Sequence, residues 1–252
     1  MDLTHIAVLA AAAFAAGVIN AIAGGGSLVS FPALVWAGLP SVIANATNTV
    51  AVWPGTVSAL WAYRREVGAQ KKTASVLAVP ALAGGLAGSV ILLATSQRVF
   101  DAIVPWLILF ACAMLALQTR VAAWVAARGG APTGRVPVGM WVAQLLIAVY
   151  GGYFGAGQGI LTLAALGVFM PFNLQAANAL KVLTALLVNG IAALWFLMSG
   201  AVRVPEAALM AVASLAGGWV GASVARRLPP VVMRAAVITY GVGVALWMLR
   251  RA

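Results

Sequence analysis

Two glycine-rich stretches carry the residues of this chain whose types and spacing could do chemistry. The first is Ala23-Gly24-Gly25-Gly26-Ser27, with Asn20 just before it and Ala46-Thr47-Asn48 some twenty residues after it. The second is Gly151-Gly152 and Gly155-Ala156-Gly157-Gln158-Gly159, followed by Ala177-Asn178 and Lys181. Bare backbone N–H groups, a hydroxyl, side-chain amides and one ammonium are all hydrogen-bond donors, and together they suit an anion. A helix that restarts after a glycine break points partial positive charge and free N–H groups at whatever sits there. Ser27 would add a hydroxyl, Gln158 an amide and Lys181 a full charge. Asn178 and Lys181 stand at i, i+3 and share a helix face. Each feature also has a plainer reading. Glycines let helices pack closely, and Asn20, Asn48, Asn178 and Asn189 could bond between helices. A lysine near a helix end can snorkel to the interface.

Catalytic chemistry is poorly provided for. Cys112 is the one cysteine and His5 the one histidine, so neither a cysteine cluster, a disulfide nor a histidine-based metal site can be built within the chain. The glycine stretches are not followed by Gly-Lys-Ser/Thr and form no phosphate-binding loop. Without a nucleophile–base pair, metal cluster or nucleotide motif, the chain reads as a non-enzyme with no catalytic residues, metal or cofactor. Glu66, Asp101 and Glu206 fall at the edges of charged turns, so no carboxylate is expected inside the apolar segments to relay protons.

The elements that must position these residues are membrane helices. The 252 residues are 64% hydrophobic and 8% charged, whereas a soluble domain carries about 25% charged residues. Residues 6–63 hold no charge at all. A glycine break inside such sequence bares polar backbone, which is tolerated only where protein or a water-filled cavity covers it. The long apolar runs fit helices rather than the roughly ten-residue alternating strands of an outer-membrane barrel. The net charge of +11 is scattered over short connections, which argues against a nucleic-acid surface and for cationic cytoplasmic loops. No basic n-region precedes the first apolar run, so that run is kept as a helix and not taken as a cleaved signal.

In chain order, helices are expected over 6–22, 28–36, 42–63, 73–96, 103–124, 136–150, a short piece ending at Met170, 174–198, 207–224 and 231–249. Charged loops are expected at 64–72, 120–135 and 226–234. The expected organisation is a first repeat over 1–127, a connecting loop at 128–135 and a second repeat over 136–252. Gly25 and Gly155 are 130 residues apart, as are Asn48 and Asn178; Gly84-Gly85 and Gly88 precede Gly217-Gly218 and Gly221 by 133. Such correspondence reads as internal duplication, the commonest transporter architecture. If each glycine-broken pair dips into the membrane and returns, each half crosses three times and the halves are inverted. If each pair is one broken crossing, the halves are parallel. Both arrangements divide the loop cations ten against four, so charge does not choose between them. The inverted one is preferred, because a first segment of about thirty residues is too long for one crossing of roughly twenty. The fold class is therefore an all-α polytopic membrane protein with two repeats, each a glycine-broken hairpin followed by three transmembrane helices.

The residues also carry a family resemblance. Gly17-x-x-Asn20-x-x-Ala23-Gly24-Gly25-Gly26-Ser27, then Phe31-Pro32-Ala33-Leu34, Gly38-Leu39-Pro40 and Ala46-Thr47-Asn48, resembles the TauE/SafE family of sulfite and organosulfonate exporters. Gly152-Tyr153-Phe154-Gly155-Ala156-Gly157-Gln158-Gly159 and Ala177-Asn178-Ala179-Leu180-Lys181 are similar to its second repeat. The resemblance covers nearly the whole chain. It implies a multi-pass transporter of small anions in the bacterial inner membrane, with the substrate anion and the bilayer as partners and a second copy of the chain as a candidate one. Many members carry Lys directly after Thr-Asn in the first half; here that position is Thr49. The expected substrate-binding set is Asn20, Gly24, Gly25, Gly26, Ser27, Thr47, Asn48, Gly155, Gly157, Gln158, Asn178 and Lys181.

Overall fold

A computed structural model describes residues 2–22, 25–129, 135–170, 173–224 and 230–250. Gly24, the stretch 130–134 and the pair Arg226-Arg227 lie outside the described residues. The described chain is helical throughout. Its first part comprises α1 (Leu3–Ile22), α2 (Ser27–Trp36), α3 (Ser41–Ala62), α4 (Arg64–Ala69), α5 (Lys71–Ala94) and α6 (Gln97–Arg128). The second comprises α7 (Val138–Tyr153), α8 (Gln158–Phe169), α9 (Leu174–Met198), α10 (Val204–Val224) and α11 (Pro230–Leu249). Six of them, α1, α5, α6, α9, α10 and α11, are long and apolar enough to cross a bilayer. The chain is an all-α polytopic membrane protein.

The helix ends follow local chemistry. Ser96 caps α6 by accepting from the Val99 N–H at 3.4 Å, and Asn173 caps α9 by accepting from the Ala176 N–H at 2.8 Å. Two elements differ from the sequence reading. The charged segment after α3 is not a plain loop, because residues 64–69 form the short helix α4. The helix expected over 103–124 runs for 32 residues, taking in Arg98, Asp101 and Arg120. Charges at a helix end need not break it, since water or headgroups can solvate them while the backbone bonds continue.

Each glycine break folds the chain back on itself. The ring of His5, near the start of α1, lies 5.6 Å from that of Trp36, at the end of α2. In the second half, a Cβ built on Gly139, near the start of α7, would lie 2.5 Å from the Phe169 ring at the end of α8. Both pairs are thus hairpins whose bases close on one side. At 1.5 Å per residue, α2 rises roughly 15 Å against roughly 30 Å for α1, and it starts beside Ala16, where a Cβ on Gly26 would meet the Ala16 oxygen at 2.3 Å, so α1 runs on past it. α3 starts on the side of the first hairpin's base, where Ser41 bonds Asp101 and Gln97 at the start of α6. The opposite side holds α4, the end of α6 and the base of the second hairpin, where Arg128 donates to the Gly167 carbonyl at 2.9 Å.

The packing pairs correspond across the two parts. α1 lies on α10, and α7 lies on α5; α3 meets α10, and α9 meets α5; α3 and α9 pair with each other, as do α6 and α11. The first two of these contacts, α1 on α10 and α7 on α5, are backbone-close. A Cβ on Gly217 would come within 2.0 Å of the Phe14 carbonyl oxygen, and one on Gly17 within 2.1 Å of the Ser214 oxygen. On the other side, a Cβ on Gly84 would meet the Leu145 oxygen at 2.5 Å and one on Gly88 the Val149 oxygen at 2.0 Å. The small-residue spacing seen in the sequence is therefore used for close helix crossing. It ties the first helix of each part to a helix of the other.

Candidate functional site

The two hairpin tips arrive at the same turn of α6. A Cβ on Gly25 would stand 3.2 Å from Leu115 Cδ2, and one on Gly157 would stand 3.3 Å from Met114 Cβ and 3.5 Å from Ala111 Cα. This turn is near the middle of α6. Phe31 of α2 also meets Phe154 of the second break edge-on, with ring centroids 5.8 Å apart. Both breaks use left-handed backbone: φ is +90° at Gly25, +80° at Gly155 and +82° at Gly157. A side chain there is strained whatever space surrounds it, which is why glycine occupies these positions.

In the first break, Asn20 serves the backbone. Its Oδ1 accepts from the Gly26 N–H at 2.7 Å, closing the tip onto α1. The Leu28, Val29 and Ser30 N–H groups bond the Gly25 and Gly26 carbonyls. Several of the N–H groups expected to be free at this break are thus engaged. Asn48, buried on α3, bonds through Oδ1 to Ser30 Oγ of α2 at 2.5 Å. Thr47 faces elsewhere: its Oγ1 accepts from the Arg203 N–H at 3.1 Å, tying α3 to the turn before α10. Thr49 returns to its own helix, donating to the Asn45 carbonyl at 3.0 Å.

The second break has a different construction. Tyr150 Oη donates to the Ala156 carbonyl at 2.6 Å, bracing the turn across its mouth. Gln158 is buried, and its side chain fills the space a Cβ on Gly151 would take, with Oε1 only 1.8 Å from that point. Lys181 of α9 donates to Asn178 Oδ1 at 2.8 Å. Its stem lies along the first turn of α8, where a Cβ on Gly159 would be 3.4 Å from Lys181 Cγ and Cδ. Asn189, one helix segment further, stands 3.6 Å from where a Cβ of Gly155 would be. Gly155, Gly157, Gln158, Asn178 and Lys181 therefore gather around one helix start, with Gly25, Gly26 and Ser27 at the other.

Some residues that hold the site together carried weak sequence signals. Asn45, one turn before Asn48, donates from Nδ2 to the Tyr153 carbonyl at 2.9 Å and so fastens α3 to the second break. Its i, i+3 relation to Asn48 was the available hint. Trp53 Nε1 donates to the Leu186 carbonyl at 3.2 Å and joins α3 to α9. Ser30 gave no signal, since its partner lies 18 residues away. Glu206 also differs from expectation. It starts α10 at the edge of a charged turn, yet it is only 3% exposed, since α10 packs against α1 and α3.

Comparison with known proteins bears on this geometry. Residues 9–248 match the family described as "Sulfite exporter TauE/SafE". The chain is 27% identical over 247 residues to "Probable membrane transporter protein ORF9" of Sinorhizobium sp, covering 97% of this chain and 92% of that protein. It is 26% identical over 221 residues to a "Probable membrane transporter protein" of Haemophilus influenzae, covering 86% and 84%. It is 27% identical over 220 residues to "Probable membrane transporter protein YfcA" of Escherichia coli, covering 86% and 79%. No solved structure matches the chain.

Proposed function

Since the chain belongs to the sulfite exporter TauE/SafE family and is a multi-pass inner-membrane transporter protein, we propose that it exports a small anion by alternating access. Sulfite, organosulfonates and related sulfur or carboxylate anions are the substrate class. The observation that carries this reading is the meeting of the two breaks on α6 near Leu115 and Met114. There α2 and α8 both begin, so two helix N-termini direct partial positive charge at one region. Lys181, lying along the start of α8, supplies the whole charge that fractional dipoles lack. Broken half-helices that converge at mid-membrane on an anionic group are the common construction of secondary transporters.

The two parts read as inverted repeats. The hairpin bases lie on opposite sides, and the packing pairs correspond element by element. The side carrying α4 and Arg128 is assigned to the cytoplasm, because the loops there hold the larger share of Lys and Arg. Export suits the electrostatics as well. A cytoplasm-negative potential drives each outgoing negative charge with about 2.3 kcal/mol per 100 mV, so no nucleotide motif is needed.

The test is a panel of anions against purified protein: sulfite, sulfate, methanesulfonate and acetate at one ionic strength, with cations of matched size as controls. Saturable binding of at least one sulfur oxyanion that competes with the others is expected. Saturable binding of cations alone would overturn the reading. Anion flux that rises linearly with concentration and shows no counterflow would make the same site a passive channel.

A further inference from the structure

On the side of the first hairpin's base, a cavity of about 290 Å³ opens between α1, the 37–40 turn and the start of α10. His5, Arg203 and Glu206 line it. Of the four carboxylate residues in the chain, Glu206 is the deeply buried one: its side chain is 4% exposed, against 62% for Arg203. One carboxylate oxygen, Oε1, meets Arg203 at 3.4 Å. The other, Oε2, is shut off from solvent and has no hydrogen-bond partner. A buried carboxylate oxygen that accepts no hydrogen bond is uncommon in a folded protein and has room for a donor, and the partner of the other oxygen is a single long contact to an exposed guanidinium.

We infer that Glu206 is a proton-binding site, loaded from the water in this cavity, whose occupancy is linked to movement of the anion. The inference rests on the transport reading above. The reaction is simple: one proton from water adds to the carboxylate, the charge disappears and Arg203 loses its partner. The groups facing Glu206 are few. Of the residues that line the cavity with it, α1 presents His5, the 37–40 turn presents no titratable side chain, and Arg203 comes from the turn preceding α10 itself; α3 contributes the neutral Thr47, which bonds the Arg203 N–H. Asp101 is engaged with Ser41 and Gln97 on α6.

The link to the anion site runs through packed elements. The Arg203 N–H holds Thr47, which is one residue before Asn48. Further along α10, Ser214 Oγ donates to the Ala51 carbonyl of α3 at 3.2 Å. The α1–α10 crossing at Gly17 and Gly217 is backbone-close, and α1 carries Asn20, the residue that closes the first tip. A change in how α10 begins is therefore felt by both helices that hold the first break.

The experiment uses the full chain in vesicles with a pH-sensitive dye inside. The probe is methanesulfonate, which is fully ionised near neutral pH and carries no proton itself. In the parent protein a methanesulfonate gradient is expected to move protons. Glu206→Gln, permanently neutral, should lose that proton movement at least tenfold while still exchanging labelled methanesulfonate across the membrane. Glu206→Asp should restore part of the proton movement. Methanesulfonate flux in the parent with no proton flux would overturn the inference, as would Glu206→Gln with proton flux within twofold of the parent. Loss of exchange in both variants would make Glu206 a structural residue and overturn it too. If the parent moves no methanesulfonate, the same comparison is made with sulfate, also fully ionised near neutral pH; if it moves neither of these nor sulfite, the transport reading beneath the inference falls instead.

Discussion

Replacing Lys181 by Gln removes one positive charge while keeping a side chain of similar reach. In the structure the ammonium has Asn178 Oδ1 at 2.8 Å, and its stem packs against Gly159 at the start of α8. Asn178 is a neutral partner, so the ammonium keeps donors and charge for an anion seated at the break. A charge-assisted hydrogen bond contributes about 1.5–3 kcal/mol. Lys181→Gln should therefore weaken anion affinity by about 2–3 kcal/mol, or roughly thirty- to 150-fold at 1.4 kcal/mol per factor of ten. Lys181→Arg keeps the charge but not the shape of the head, and should fall between the two. The assay is calorimetric titration of sulfate or methanesulfonate into purified protein at fixed ionic strength, with thermal unfolding as a check that the fold is kept. If Lys181→Gln binds within twofold of the parent, the lysine is snorkelling and the reasoning about compensating charge is refuted.

Further expectations follow from the packing. Cysteines placed at positions 68 and 203 in a Cys112→Ala background should label from opposite sides of the membrane; labelling from one side would refute the inverted arrangement. Gly88→Ala puts a Cβ about where the Val149 carbonyl oxygen stands, 2.0 Å away, and should lower stability by about 1–3 kcal/mol. Gly243→Ala, with nothing within 4 Å of its Cβ, should be neutral or gain up to about 1 kcal/mol, and thermal unfolding of the two in detergent compares them directly. Asn45→Ala leaves the Tyr153 carbonyl without its partner and should cost about 1–3 kcal/mol; an unfolding midpoint equal to the parent's would show that this bond does not secure the second break.

Much of the fold was legible because membrane helices are written in composition. The span expected from 174 to about 198 is α9, Leu174–Met198, with Asn173 capping its start and Ser199 its end. The glycine spacing at 84–88 and 217–221 marked close crossings, but not the partners, since nothing local in α5 names α7. The breaks were visible as glycine where hydrocarbon was expected. What they touch was not, because Leu115, Met114 and the Phe31–Phe154 contact join residues distant in sequence. Asn20 and Thr47 show the limit for polar residues. Both were candidates for a ligand, and both are bonded to backbone, at Gly26 and Arg203. The sequence identifies a polar residue in an apolar helix but not which of two needs, ligand or backbone, it meets. Glu206 failed in the opposite sense: a turn edge predicts exposure, and the packing of α10 against α1 and α3 removed it.

The central claim is that an anion passes at the two glycine breaks, and counterflow across reconstituted vesicles tests it most directly. Vesicles loaded with unlabelled sulfate or methanesulfonate, diluted into labelled anion, are compared for the parent, Gly25→Leu and Gly155→Leu, each variant shown to be inserted and folded. The parent should accumulate label transiently and saturably. Each variant, forced to place a side chain at positive φ in the tip, should lose that accumulation by at least tenfold. Counterflow in both variants equal to the parent's would contradict the account and leave the breaks as packing features.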